Sequence, residues 1–313
     1  MTLALLATSH SPLLEHAELA PDVAAELEEN FDVARAFVAD FDPDLVVNFG
    51  PDHFNGFFYN LMPAFCVGYA ATSIGDYGSQ AGPLDVPEDV ARSLAEAVIA
   101  SGIDLSVSLD MAVDHGSVQP MEILFGDIRA KPVVPIFINA VAPPFTPVQR
   151  VRLLGEAVGR HLATLDKKVL LIASGGLSHD PPVPRIVTAT PQQRSMMMGE
   201  GQPLSSEARD ARQQRVIQAA RDFAAGTADI QDLAPEWDRE FLDITASGDL
   251  TPLDAWQPVE MTRVAGNSSH EVRTWIAGYA ALSAAGRYTV THSYYRPIKE
   301  LIAGFALTTA VLD

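Results

Sequence analysis

Short apolar runs alternate along the chain with longer stretches in which apolar residues recur every three or four positions. The short runs predict β-strands and the longer stretches predict amphipathic helices. The predicted strands are residues 3–7, 45–49, 65–69, 105–111, 133–139, 169–173 and 305–312, and the predicted helices are residues 21–41, 87–101, 147–164, 205–225, 237–246 and 269–285. This alternation predicts an α/β fold with a mainly parallel or mixed central sheet flanked by helices.

The sequence predicts one catalytic α/β domain over residues 1–313. No Gly/Ser-rich linker divides the chain, and its histidine motifs are spread from residue 10 to residue 271. The stretch 190–206 contains three consecutive methionines followed by glycine and proline. It is either a lid over a site or a surface insertion, and the residues alone leave both interpretations open.

Five short motifs carry a histidine, and four of them closely follow a predicted strand. The five histidines are His10, His53, His115, His179 and His270. In open α/β sheets the reactive pocket lies outside the carboxyl ends of the strands, so histidines distant in sequence can meet there. Histidine is the commonest metal ligand and transfers protons near neutral pH. The pattern therefore indicates a metal enzyme, with His16, His161 and His292 as structural or surface residues.

Composition narrows the function mainly by exclusion. A formal net charge of −19 argues against binding nucleic acid, because a polyanion requires a basic surface. No apolar run is long enough to cross a bilayer, and residues 3–7 are too short for a secretory segment. The single cysteine, Cys66, cannot form an internal disulfide. We therefore expect a cytoplasmic protein.

The motifs also exclude several kinds of site. There are no closely spaced Cys or His pairs for structural zinc, no nucleophile elbow and no glycine-rich phosphate loop. What remains is a distributed set of histidines with one carboxylate. Two histidines and a carboxylate are the ligands of non-haem ferrous oxygenases. The residues alone do not say which two histidines bind the metal.

Six segments together resemble the class III extradiol catechol dioxygenases, in order and over nearly the whole chain. They are Ser-His-Ser-Pro at 9–12, Pro-Asp-His-Phe-Asn-Gly-Phe-Phe-Tyr at 51–59, Val-Asp-His-Gly at 113–116, Ser-Gly-Gly-Leu-Ser-His at 174–179, Ser-His-Glu-Val-Arg-Thr-Trp at 269–275 and Tyr-Tyr-Arg-Pro-Ile at 294–298.

This resemblance implies Fe(II) held by His10, His53 and Glu271, with His115 and His179 as unligated acid/base residues. It implies extradiol cleavage of 3-(2,3-dihydroxyphenyl)propionate, and of 2,3-dihydroxycinnamate, by O2 in the breakdown of aromatic compounds. The product would be a 2-hydroxy-6-oxo-dienedioate. The family association also implies a homo-oligomer. Two alternatives remain open at this point: a zinc hydrolase that uses the same ligands, and a non-enzymatic binding protein.

Two arginines and two aromatic residues are candidates for contact with the substrate. A carboxylated substrate needs a cationic partner, and Arg296 is the first candidate. Arg273 is a second, although it should point away from Glu271 on a helix. Phe54 and Tyr59 belong to an aromatic run that either lines the aryl pocket or packs in the core.

Three further residues border the predicted ligands. His270 points about 100° away from Glu271 on a helix, which predicts a supporting role. Asp52 and Asp114 precede motif histidines, where each either orients an imidazole or caps a turn.

Overall fold

A computed structural model describes residues 2–201 and 206–313. The strands are β1 (Thr2–Thr8), β2 (Leu45–Gly50), β3 (Phe65–Gly68), β4 (Ala71–Ile74), β5 (Ala81–Pro83), β6 (Ser106–Ser108), β7 (Met111–Val113), β8 (Val133–Ile138), β9 (Lys168–Ser174), β10 (Tyr288–Ile298) and β11 (Ala303–Leu312). The helices are α1 (Pro21–Phe41), α2 (Glu88–Ala100), α3 (His115–Phe125), α4 (Val148–Leu162), α5 (Pro191–Met197), α6 (Ser206–Ala224), α7 (Pro235–Ser247), α8 (Pro258–Ala265) and α9 (Val272–Ala285).

The main sheet is mixed and has the strand order β10-β11-β1-β9-β2-β8-β3-β6. Its centre is parallel, because β9 pairs in parallel with both β1 and β2, and β2 pairs in parallel with β8. These strands are buried at almost every position, as expected for a sheet covered on both faces. One apolar cluster lies on each face of the sheet. The predicted α/β architecture is confirmed.

Residues 105–111 do not form the single strand that their alternation predicts. The structure divides this segment between β6, at the edge of the main sheet, and β7, which begins at Met111 in a separate small sheet of order β5-β4-β7. The chain bends at Leu109, whose side chain is exposed, and at Asp110, whose backbone N–H bonds the Ser108 hydroxyl. The small sheet, rather than the main one, therefore leads to His115.

The predicted helices are confirmed to within a few residues at each end, and α3, α5 and α8 are additional. The prediction that 269–285 is one helix is refined, because a 3₁₀ turn over Ser269–Glu271 precedes α9. Helix α5 lies in the segment 190–206, for which the sequence allows a lid or a surface insertion. Residues 202–205 of that segment lie outside the described residues. Each helix in the described ranges is too short or too polar to span a membrane.

Helix α9 is held against α4 by unusually close backbone contact. A Cβ atom added at Gly155 or Gly159 would collide with the backbone carbonyl of Ala277 or Ala281, respectively. Glycine at these two positions, four residues apart on one face of α4, therefore lets the helices approach closely. This packing holds α9 in place, and Glu271 lies in the turn directly before it.

Candidate active site

Four histidines and one glutamate meet at the carboxyl ends of the strands. His10, His53 and His179 follow β1, β2 and β9, which are neighbours in the sheet. His115 is the first residue of α3, and Glu271 lies in the turn before α9. All five line a cavity of about 560 Å³, a size typical of small-molecule sites.

The carboxylate of Glu271 is the point on which three imidazoles converge. Its Oε1 lies 3.2 Å from Nε2 of His53 and 3.3 Å from Nε2 of His179. Its Oε2 lies 3.5 Å from Nε2 of His10 and accepts a 2.8 Å hydrogen bond from the backbone N–H of Gly176. The predicted ligands are therefore adjacent in space.

Each imidazole is held through its Nδ1 atom by an acceptor. His53 Nδ1 lies 3.1 Å from Asp114 Oδ2, and His179 Nδ1 lies 2.8 Å from the carbonyl of Leu177. The Ser174 hydroxyl donates to the Gly116 carbonyl, so it accepts from His10 Nδ1 at 3.0 Å.

His115 Nδ1 lies 2.6 Å from Asp76 Oδ2, and the backbone N–H of His115 also donates to Asp76. When such an imidazole is neutral and donates through Nδ1, its Nε2 keeps a lone pair that can bind a metal or accept a proton.

The structure separates the two roles considered for Asp52 and Asp114. Asp52 forms a turn by accepting the backbone N–H groups of residues 55, 56 and 57. Asp114 orients an imidazole, although it is that of His53 rather than of its neighbour His115. Asp114 also caps α3 through the N–H of Gly116, so both of its proposed roles are realised.

Electrostatics keep Glu271 negatively charged. Burial alone would raise the pKa of its carboxyl, but the charge of His179 and the hydrogen bonds from His179 and His53 hold that pKa well below its usual value. Burial would lower the pKa of His53, yet Asp114 and Glu271 raise it well above the usual value. At His10 burial dominates and lowers the pKa to about 3, so this imidazole is neutral. An anionic carboxylate beside neutral imidazole nitrogen is the chemical form that a divalent cation binds.

The donor set fits a metal ion in its spacing. Two donors bound side by side to one ion at about 2.1 Å lie about 3 Å apart, and the Nε2 atoms of His10 and His53 lie 3.5 and 3.2 Å from the oxygens of Glu271. His10, His53 and His115 form a second candidate set, with one ligand atom of each within 4.8 Å of the others.

A third candidate set comprises Asp76, Asp114 and His115. Its carboxylates already accept hydrogen bonds from His115 and His53.

The other residues considered for substrate binding lie elsewhere. Arg296 forms salt bridges with Asp22 and Glu26 of α1. Phe54 is buried in a small apolar cluster, and the Tyr59 hydroxyl donates to the carbonyl of Pro143. Among the described residues that line the histidine cavity, none of these three appears. Their assignment to substrate stays a prediction from the sequence.

Arg273 and His270 form a buried pair behind the site. The Arg273 guanidinium is fully buried, donates to the Thr146 carbonyl and lies over the ring of Phe145. His270 stacks on the same phenyl ring, with centroids 3.9 Å apart, and bonds the Thr262 hydroxyl. His270 thus has the supporting position that its helix register predicts.

Four further residues of this site are not predicted from the sequence. Asp76 and Tyr77 lie in a tight turn between β4 and β5, and the Tyr77 ring meets the edge of His115 at 5.0 Å. Arg212 and Arg215 line the cavity from α6. The flanking Gly75 and Gly78 signal the turn, but only the fold brings it beside His115.

The family model described as "Catalytic LigB subunit of aromatic ring-opening dioxygenase" matches residues 4–306. The chain belongs to this family. It is 58% identical over 312 residues to a 2,3-dihydroxyphenylpropionate/2,3-dihydroxicinnamic acid 1,2-dioxygenase of Rhodococcus globerulus, covering 100% of this chain and 99% of that protein. The chain is also 55% identical to an enzyme of the same name from Mycobacterium sp. strain MCS, with 99% of both chains covered.

A crystal structure of an uncharacterized Escherichia coli K12 protein aligns with 99% of both chains at a TM-score of 0.49 and 14% identity. Membership of the family identifies the chain as a ring-opening dioxygenase. This membership excludes the two alternatives that the sequence left open, a zinc hydrolase and a non-enzymatic binding protein. Together with the cluster of histidines, it also indicates a metal cofactor.

Proposed function

We propose that this dioxygenase cleaves 3-(2,3-dihydroxyphenyl)propionate, and also 2,3-dihydroxycinnamate, beside the diol with O2. The product is a 2-hydroxy-6-oxo-dienedioate, formed in the breakdown of aromatic compounds. The convergence of three imidazole Nε2 atoms on one carboxylate, with a fourth imidazole in the same cavity, carries the proposal. The substrates named for the Rhodococcus and Mycobacterium relatives support the choice of catechol.

In this proposal the metal is Fe(II), held by His10, His53 and Glu271. Two histidines and one carboxylate are the ligands of ferrous oxygenases, and they leave other coordination positions open. Bound there, ferrous iron would supply the Lewis acidity and the redox chemistry that let a catechol react with O2. Asp114 and Ser174 hold the two imidazoles through Nδ1, which directs each Nε2 toward Glu271.

His115 and His179 then serve as the acid/base pair. One takes a proton from a catechol hydroxyl as the substrate binds, and the other donates a proton as the ring opens. Imidazole, with an ordinary pKa of about 6.5, suits both tasks. Asp76 accepts from Nδ1 of His115 and would stabilise the charge on a protonated ring. At His179 burial lowers the pKa, but Glu271 outweighs it and the net shift is upward, which favours a proton-donating form.

The proposal also covers the domain organisation, a lid, the oligomeric state and the cellular location. The whole chain acts as one catalytic unit, since the ligands come from both its ends. Part of the segment 190–206 acts as a lid, because Gln193 and Met196 line the cavity. We also propose a homo-oligomer and a cytoplasmic location, the latter because the single cysteine Cys66 suits a reducing compartment.

The test is reconstitution of metal-free protein. Anaerobic addition of Fe(II), followed by oxygenated 3-(2,3-dihydroxyphenyl)propionate, should consume one O2 per catechol. Protein loaded with Zn(II) should consume none, because zinc has no redox chemistry. Oxygen uptake that does not depend on Fe(II) would contradict the iron assignment. Absence of uptake with every catechol would contradict the proposed reaction.

A further inference from the structure

Helix α6 brings two arginines to the wall of the histidine cavity. Arg212 and Arg215 both line it, and residues three apart lie on the same face of a helix. Nη2 of Arg212 donates to the backbone carbonyl of His53 at 2.5 Å, which ties α6 to the proposed metal ligand. Both guanidinium charges also act on the phenol of Tyr77, the ring that meets His115 edge-on. The two cations therefore lie beside the reacting groups.

Many arginines of this acidic protein are paired with carboxylates, among them Arg296, Arg152 and Arg35. Within residues 2–201 and 206–313, no carboxylate lies within salt-bridge distance of Arg212 or Arg215.

The cavity has two carboxylates of its own, and both have other partners. Glu271 faces the histidines. Asp222 follows Arg215 by seven residues, about 10 Å along the helix, and accepts from Gln218.

We propose that Arg215, assisted by Arg212, binds the side-chain carboxylate of the substrate and makes the enzyme selective for acidic catechols. This inference rests on the proposed function, because it takes the diol to lie at the histidines. The guanidinium of Arg215 is the freer of the two, since Arg212 is engaged by the carbonyl of His53. A net charge of −19 repels an anionic substrate, so a local pair of cations is needed to attract it. Arg296 would then serve only to bind α1.

The experiment compares kcat/KM for 3-(2,3-dihydroxyphenyl)propionate with kcat/KM for 3-propylcatechol, whose side chain has the same three carbons without the charged carboxylate. In Arg215→Met, and more strongly in the double variant with Arg212→Met, the preference for the acid should fall by about 10- to 100-fold. Arg215→Lys should retain part of the preference. Arg221→Met, a change on the same helix outside the cavity, serves as the matched control. This variant should keep the full preference for the acidic catechol.

Charge reversal gives a second and independent readout. Arg215→Glu should favour a catechol with an aminoethyl side chain over the propionate. If a variant shows no turnover, equilibrium binding of 3-phenylpropionate, which lacks the diol, should still be at least about tenfold weaker than in the wild type.

Three results separate the possibilities. A preference that survives in the double variant would overturn the inference. Equal cleavage of both catechols by the wild type would also overturn the inference, but it would still support the proposed ring-cleaving activity. A wild type that cleaves neither catechol would instead overturn the proposed function.

Discussion

Nε2 of His53 lies 3.2 Å from Oε1 of Glu271, although 218 residues separate the two in sequence. His53 follows a central strand, whereas Glu271 precedes a helix that packs against α4. Asp114 fixes the histidine from the opposite side of its ring, and the Gly176 N–H fixes the carboxylate. The fold thus brings together and orients two groups that could share one metal ion.

Loss of the carboxylate should remove the metal. Glu271→Ala leaves two imidazoles, which hold Fe(II) weakly, so we expect less than a tenth of the wild-type iron and no measurable turnover. Iron is measured by elemental analysis after desalting, and circular dichroism checks folding. Glu260→Ala, at an exposed residue of α8, should keep full iron content. Normal iron and turnover in Glu271→Ala would show that Glu271 is not a ligand.

Replacement of either unligated imidazole should separate metal binding from proton transfer. His115→Gln and His179→Gln should each retain iron while turnover falls by roughly 10²–10⁴, the usual range for loss of a general acid or base. Single-turnover rates and iron content are measured on the same samples. Iron loss in His115→Gln would favour the alternative ligand set of His10, His53 and His115.

Asp76 should act through His115 rather than on the substrate. Its carboxylate holds Nδ1 of that imidazole at 2.6 Å, so we expect Asp76→Asn to lower turnover by about tenfold or more at unchanged iron content. The double variant with His115→Gln should be no slower than His115→Gln alone, because one residue works through the other. Additive losses would contradict this coupling. Asp110→Asn, on the nearby exposed bend, is the matched control.

The contact between α4 and α9 should tolerate no side chain at Gly159. Gly159→Ala adds a methyl group directly against the Ala281 carbonyl, and we expect the free energy of unfolding to fall by about 1–3 kcal/mol. Arg160→Ala, the neighbouring position on the exposed side of α4, should change it by less than about 0.5 kcal/mol. Urea unfolding measures both. Equal stability of the two variants would mean that the helices separate without cost.

The sequence predicts the strands of the main sheet other than β10, and the histidines that follow them, because both depend on local order along the chain. A short continuous apolar run such as β9 is typical of a strand buried on both faces, and a residue directly after a parallel strand lies at the carboxyl edge of the sheet. Asp76 and Arg215 carry no such signal. Their elements, a turn of the small sheet and a polar helix, meet the cavity only through tertiary packing.

Substrate contacts are harder to predict for the same reason. Arg296 lies in a motif of the family, yet its place in β10 directs it to the carboxylates of α1. Tyr59 follows His53 by six residues, but its hydroxyl reaches the Pro143 carbonyl instead of the histidines. Proximity in sequence to a ligand therefore says little about proximity to the bound catechol.

The most direct test of the central claim is to identify the product of one turnover under ¹⁸O2. The Fe(II)-loaded enzyme and 3-(2,3-dihydroxyphenyl)propionate should yield a 2-hydroxy-6-oxo-dienedioate, seen by NMR and mass spectrometry. Both oxygen atoms incorporated into the product should come from O2, apart from label that exchanges with water before the ring-expanded lactone is hydrolysed. A muconate, formed by cleavage between the two hydroxyls, would contradict the account.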